Sequence, residues 1–365
     1  MALAISDGEI THLLSMSEAL GVLRQAYREV ANDEAVNSPR VDLAGLTQPS
    51  DTASRQRSVY SLKTMSGITT RYASVRLLSE YIRFSEDQGG KMRRERAKPG
   101  KYSPTRGSIL LFDRGSANLV AVLSEGVIRN MRVGAAAALA AESLASGAAN
   151  VVAIIGSGFM ARVHLEALCQ VRPIELAKVY SPSADHREKF AAELREALGI
   201  KIDAVESYDD AICDAAIVAL TTNSIEPVFR RQDVKPGIHV SCVRHGEIGE
   251  ESYRAFNKVY LNAKDSSGIF YRIAGIPEDN AAPDFVIQNY AQGYPGDDMF
   301  WKNLPDLIDL VSGRVLGRQS PQEATCFDNS TGFAVQFTAM AARVYELAVE
   351  RGMGTRIPDN VFSNL

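Results

Sequence analysis

Residues 151–161 read VVAIIGSGFMA, and the chain runs on as RVHLEALCQV to Val171. An apolar, β-branched run of this kind suits a strand covered on both faces. It breaks at Gly-Ser-Gly and resumes with helical spacing, so strand, tight turn and helix N-terminus succeed one another without a gap. The unpaired amides that open such a helix make a seat for an anion. Gly156 makes the turn, Gly158 lets phosphate approach the backbone, and Ala161 stands where a third glycine would let helix and strand come close. The stretch is therefore expected to hold a dinucleotide pyrophosphate, with Gly156, Ser157, Gly158, Phe159 and Met160 around it.

Downstream of this turn the alternation repeats. LAKVYS (176–181) reads as a second strand, ADHREKFAAELREALG (184–199) as an amphipathic helix closed by Gly199, and AAIVALTT (215–222) as a third, buried strand. IHVSCV (238–243) and KVYLNA (258–263) extend the series. Strands separated by helical stretches pair in parallel through right-handed crossovers, which gives an α/β fold with a Rossmann-type doubly wound sheet. Dinucleotide sites selective for NAD put Asp or Glu at the end of the second strand. Here the chain has Tyr180, Ser181, Pro182 and Ser183, then His186 and Arg187. With no carboxylate to repel a 2′-phosphate, the cofactor is NADP(H) or NAD(H), with NADP(H) slightly favoured and Ser181, Ser183 and Arg187 near the ribose. Thr221, Thr222 and Asn223 are expected on the adenosine side, and Val243 near the nicotinamide.

Composition sets outer limits. A chain of 365 residues is too long for one ordinary core and long enough for two domains. Its four cysteines, Cys169, Cys213, Cys242 and Cys326, form no CxxC pair, and its five histidines no HExxH, so neither disulfides nor a metal site is expected. A reducing, cytoplasmic setting is the expectation. The start, MALAISDGEI, lacks a signal-peptide pattern, and no apolar run approaches membrane-spanning length, so no membrane partner is expected. A net charge of −4 offers nucleic acid no broad attraction. KMRRERAKPGK (91–101) is the local exception, read as a solvated loop or hairpin tip, with a lid over an anionic ligand as the alternative.

Around the nucleotide fold the pattern is mixed. ISDGEITHLLSMSEALGVLRQAYREVAN reads as two helices, the second capped by Ser15 or Ser17. Strand patterns come next at SVYSLKTMS, YASVRLLSEYIRF, GSILLFD and LVAVLSEG, then an Ala-rich helix over 128–146. The Pro- and Gly-bearing stretch after residue 264 reads as irregular. Ser320 to Glu323 has capping-box spacing, TCFD reads as a short strand, and a helix spans about 331–351 before Gly352. That last helix is expected to pack on the N-terminal meander. The expected division is residues 1–127 with 322–365 as an α+β substrate-binding and dimerisation domain, and 128–321 as the NAD(P)-binding domain.

LLFDRGSANLVAVLSEGVIRNMRVGAAAALAA followed by VVAIIGSGFMARVHLEAL resembles the ornithine cyclodeaminase and mu-crystallin family in unbroken order. VKPGIHVSCV, VSGRVLGRQSPQEAT and GMGTRIP fit as well. The resemblance implies NAD(H) or NADP(H) in the Rossmann domain, a homodimer formed through the other domain, and a small amino, imino or keto acid as substrate. It places Arg132 at the family's carboxylate-binding arginine, Arg40 at a second one, and Thr105 at a substrate-contacting threonine. A guanidinium suits that task because it donates two parallel hydrogen bonds to a carboxylate. Arg129 and Asn130 read as capping or surface residues.

Two departures from the family qualify this. Its usual lysine, after the "G-V" of a strand, is replaced by Arg76, which binds anions and does not shuttle protons; Arg76 reads as a third anion-binding group, unless Lys63 reaches the site from the neighbouring strand. The aspartate of its "G-x-D" turn is absent, and Arg244-His245-Gly246-Glu247 stands there, so His245 or Glu247 supplies the base from a shifted position or the step is missing. The expected function is an NAD(P)-dependent oxidoreductase at a C–N centre, reducing an α-imino or keto acid or oxidising an amino acid. Three arginines favour a dicarboxylic substrate. The alternatives are a cyclising, deaminating lyase and a non-catalytic NADP(H)-binding or accessory protein.

Overall fold

The computed structural model describes residues 1–46, 57–86, 92–96, 105–224, 226–264, 269–272, 299–358 and 361. In chain order, β1 (Ala2–Ile5), helices α1 (Asp7–Leu13) and α2 (Met16–Ala31), and strands β2 (Val36–Asn37), β3 (Val41–Leu46), β4 (Arg57–Ile68), β5 (Tyr72–Glu86), β6 (Met92–Arg96), β7 (Thr105–Asp113) and β8 (Leu119–Ser124) lead into α3 (Gly126–Leu144). Then come β9 (Val151–Ile155), α4 (Phe159–Val171), β10 (Leu176–Tyr180), α5 (Ala184–Leu198), β11 (Lys201–Ala204), α6 (Tyr208–Ile212), β12 (Ile217–Leu220), β13 (His239–Cys242), α7 (Glu250–Tyr253) and β14 (Lys258–Leu261). The chain closes with β15 (Ile269–Arg272), α8 (Met299–Lys302), α9 (Leu307–Val311), β16 (Thr325–Asp328), α10 (Ala334–Arg351) and β17 (Thr355–Ile357).

The chain divides into two compact units, Met1–Arg132 with Asp265–Lys302 and Phe333–Leu365, and Val133–Lys264 with Asn303–Gly332. In the second unit seven parallel strands run β11-β10-β9-β12-β13-β16-β14. The order reverses at β9, which makes the sheet doubly wound as expected. β12 and β13 are buried along their whole length, β12 as an unbroken apolar run and β13 with His239 and Ser241 among its four residues. Val152, Ile154, Leu165, Val179, Phe190 and Ile217 share one core.

The first unit is built on a mixed sheet ordered β15-β3-β4-β5-β7-β8-β1-β17, with β2 on β4 and β6 on β5. α10 lies against β4 and β5, and a Cβ on Gly67 would come within 2.8 Å of Thr338 Oγ1. The close approach explains glycine mid-strand, and it confirms that the last helix packs on the N-terminal meander. Ser15, rather than Ser17, caps α2 in a full capping box with Glu18.

Three expectations differ from the structure. TCFD, assigned with residues 322–365 to the companion domain, is β16, seated between β13 and β14 in the parallel sheet. A four-residue run buried at every position carries no mark of which sheet receives it. Ser320 and Glu323 form a turn that no helix succeeds, with Glu323 Oε2 accepting from the Gln319 and Ser320 amides. Of the basic run, Met92–Arg96 is a strand on β5 and the rest lies outside the described residues, as does most of the irregular stretch after 264.

Candidate active site

The expected cofactor residues gather on one edge of the seven-stranded sheet, at the C-terminal ends of β9, β10, β12 and β13. Gly156 has φ +113°, and a Cβ there would sit 2.8 Å from the Thr221 carbonyl, so only glycine fits. Gly158 is the N-cap of α4 and has open space where a Cβ would be; no side chain caps this helix among the described residues. Ala161 is fully buried where helix meets sheet. The amides of α4 are thus available to an outside anion, and the turn fits a pyrophosphate. Phe159 is exposed and Met160 partly so.

Around it, Ser157 Oγ donates to Ser181 Oγ at 2.8 Å, and Ser183 caps α5 through the His186 amide. Arg187 Nη1 donates to the Ser181 carbonyl at 3.1 Å, while its Nε is buried without a hydrogen-bond partner. Thr221 Oγ1 donates to the Ile155 carbonyl, and the Asn223 carbonyl accepts from Arg244.

Several charged side chains of the first unit are paired with acids or bases. Arg76 Nε donates to Glu125 Oε2 at 2.6 Å with both side chains buried, and its guanidinium lies 4.7 Å from the Phe337 ring centroid. Arg129 takes the other oxygen of Glu125 at 2.9 Å, so it is more than a surface residue. Lys63 Nζ pairs with Glu80 Oε1 at 2.6 Å, and Arg40 with Asp42 at 2.7 Å. Arg76 thus shares the single carboxylate of Glu125 with Arg129. Thr105 opens β7 opposite Glu80.

Arg132 differs. Among the described residues its Nη1 reaches the neutral Gln336 Oε1 at 3.2 Å, and its buried Nε finds no hydrogen-bond partner. Burial, with the nearby charge of Arg76, pulls its pKa down to about 10. A guanidinium in that state gains from any carboxylate that reaches it.

After β13 the two candidate bases separate. Glu247 is fully enclosed and spends its carboxylate on neighbouring donors: Oε1 accepts from the Thr222 amide and hydroxyl, Oε2 from the Val243 and Arg244 amides. Burial pushes its pKa up to about 7 against the pull of those donors. It ties the β12 and β13 loops together and is not placed to meet a substrate, so Glu247 is corrected from candidate base to loop clamp.

His245 has a different setting. Its Nδ1 lies 2.6 Å from Asp328 Oδ2, and its ring stacks on Tyr253 at 5.0 Å between centroids. Burial lowers the pKa of His245, but the hydrogen bond and charge of Asp328 outweigh that and raise it overall. Sequence reasoning missed Asp328 because the TCFD run does not show which sheet it joins. Its position as the last residue of a parallel strand is the signal that finds it.

The model of the ornithine cyclodeaminase/mu-crystallin family matches residues 93–262. A Δ1-pyrroline-2-carboxylate reductase of Bacillus cereus is 29% identical over 268 residues, 72% of this chain and 77% of that protein. By these matches the chain is similar to members of the ornithine cyclodeaminase/mu-crystallin family. Alanine dehydrogenase of Archaeoglobus fulgidus is 25% identical over 97% of this chain and 98% of its own length. Among solved structures, Thermococcus litoralis Δ1-pyrroline-2-carboxylate reductase, in complex with NADH and L-proline, covers 97% of this chain and 100% of its own, with a TM-score of 0.75 at 26% identity. The likeness to these proteins agrees with the α/β architecture and the nucleotide edge. It leaves the Asp328–His245 pair to this chain's own residues.

Proposed function

We propose that this protein is an NAD(P)H-dependent reductase of the C=N bond in a small α-imino monocarboxylate, with Δ1-pyrroline-2-carboxylate as the first compound to try. The observation that carries it is Arg132, a guanidinium facing a neutral amide, with a buried Nε that lacks a partner, on a chain that also presents a complete dinucleotide-binding edge. The nicotinamide, when bound, supplies the hydride. The chain's part is to hold and orient: Arg132 takes the substrate carboxylate, and Gly156, Gly158 and the α4 amides take the pyrophosphate. Reductases of this imine among the relatives, and the NADH and L-proline bound in the Thermococcus enzyme, support the reading.

NADPH is expected to bind at least as well as NADH, because Ser181 stands where a carboxylate would repel the 2′-phosphate and Arg187 adds positive charge there. The assembly is taken to be a homodimer, on the example of the NAD-bound archaeal alanine dehydrogenase, a dimer sharing this fold.

The test is coenzyme oxidation with Δ1-pyrroline-2-carboxylate and related imino acids, for wild type and Arg132→Ala. Turnover that falls on the order of 10²–10³-fold in the variant supports the reading, as expected when a bound carboxylate loses its buried partner. Ammonia release from ornithine without net change in nicotinamide absorbance would make the protein a cyclodeaminase instead. Coenzyme binding with no turnover of any imine, keto or amino acid would make it a binding protein.

A further inference from the structure

The side chain that meets Arg132 is unusual for its place in a helix. Gln336 stands in the first turn of α10, three residues after the N-cap Phe333, and its Oε1 accepts from the Phe333 amide at 3.2 Å. That reach back to the N-cap amide is one half of a capping box, a task that Glu and Gln both perform. In three other capping boxes of the chain an acid performs it: Glu9 in α1, Glu18 in α2 and Asp309 in α9. The positive end of the helix dipole favours an acid there as well. Helix physics therefore points to glutamate at position 336, and the chain has glutamine. A broken local rule of this kind is expected where function needs it.

The surroundings supply the need. A backbone N–H only donates, so Oε1 is the atom that faces Phe333, and Nε2 donates to the Tyr27 hydroxyl at 2.7 Å. Gln336 and Tyr27 are both wholly buried. The amide is thus held at each end, and it presents Oε1 to Arg132 Nη1 at 3.2 Å. One residue on, the centroid of the Phe337 ring lies 5.1 Å from the Arg132 guanidinium and 4.7 Å from that of Arg76. Both oxygens of Glu125 are engaged, one by Arg76 and the other by Arg129. All of these residues lie in the first unit. A guanidinium oriented by a neutral carbonyl keeps its whole charge for a ligand, whereas one oriented by a carboxylate is already neutralised.

We propose that Gln336 is a positioning residue for anion binding: it fixes the Arg132 guanidinium through a neutral carbonyl, and Tyr27 and the Phe333 amide fix Gln336 in turn, so that Arg132 remains available to a substrate carboxylate. This rests on the reading of Arg132 as the carboxylate-binding group. A glutamate in the same place would keep the bond to the Phe333 amide and take a hydrogen bond from Tyr27. It would also pair with Arg132 and compete with the substrate for it.

The experiment sets Q336E beside Q336M and wild type. Three quantities are measured for each: KM and kcat on Δ1-pyrroline-2-carboxylate, calorimetric binding of L-proline to the NADH-loaded protein, and the thermal unfolding midpoint. Q336E is expected to weaken L-proline binding and raise KM by about 10²-fold, as when a buried charge loses its partner to a competitor. Its kcat should stay within about threefold of wild type, because the carboxylate contact is made alike in the ground state and the transition state. Its midpoint should be at or above that of wild type, since buried Arg132 gains an acid. Q336M leaves the Phe333 amide and the Tyr27 hydroxyl without their partner, so its midpoint should fall. Its KM should rise by less than about tenfold, because nothing competes for the charge of Arg132.

A glutamine with a structural role alone predicts the reverse order, with Q336E near wild type in KM and Q336M impaired in both midpoint and KM; that result overturns the proposal. A fall in the midpoint of Q336E overturns it too, since Arg132 would then have no charge left to pair. A wild type that neither binds L-proline nor reduces an imine overturns the reading of Arg132, and the role of Gln336 with it. That outcome is distinct, because failure of the Gln336 role alone leaves wild type active.

Discussion

The two units handle charge in opposite ways. In the seven-stranded unit the described strands are apolar along most of their length, and the polar groups that matter sit at strand ends: Ser181, Thr221, Thr222, His245 and Asp328. In the first unit charged residues sit within the strands themselves, where Lys63 meets Glu80 and Arg76 meets Glu125, just past the end of β8, with little exposure. A parallel sheet keeps its interior mostly apolar, with His239 hydrogen-bonded to Thr325 as an exception here, and presents loops at one edge as the place for chemistry. A mixed sheet with buried ion pairs must keep every partner in place, since removing one strands the other.

The sharpest way to break this contrast is Glu125→Gln. It leaves Arg76 and Arg129 facing a neutral amide and should cost about 3–5 kcal/mol in urea denaturation. An effect under about 1 kcal/mol would show the first unit tolerates charge as a surface does.

Acid sharpens the comparison from the other side. Burial holds His164 at a pKa of about 4 and His239 at about 3, both in the parallel-sheet unit. These values lie below those of the unfolded chain, so the histidines' contribution to stability is present above about pH 6.5 and is lost as pH falls toward 4. For His164 that loss is about 3 kcal/mol. Stability from urea titrations at about pH 7 and about pH 4.5 checks it, and His164→Gln should lose less on acidification than wild type.

Gly156→Ala tests the strand-end edge directly. The positive φ and the 2.8 Å approach to the Thr221 carbonyl predict a loss of about 1–3 kcal/mol and weaker coenzyme binding by fluorescence titration. The smallest effect belongs to Ser183→Ala, which removes the cap of α5 and should lower thermal stability by about 1 kcal/mol.

Much of the nucleotide-binding unit was legible because its signals are local. A β-branched run, a glycine at a turn and a helical period each lie within a short stretch of chain, and all the expected cofactor positions came to one edge. The charged residues read less well. Nothing near Arg76 in sequence shows that it pairs with Glu125, forty-nine residues on. Glu247 looked like a base because its donors come from two loops that only the folded sheet brings together. Arg132 carried over from the family pattern, and its unpartnered Nε was visible only in the packed structure.

By itself the sequence determined the alternation of strands and helices and the glycine turn, because backbone conformation and hydrophobic period are set by neighbours along the chain. Tertiary structure decided which charges are spent and which remain for a ligand, and it brought Asp328 to His245 across eighty-three residues. A charge has its meaning only from what lies within a few ångströms in space, and that distance is not written in the order of residues.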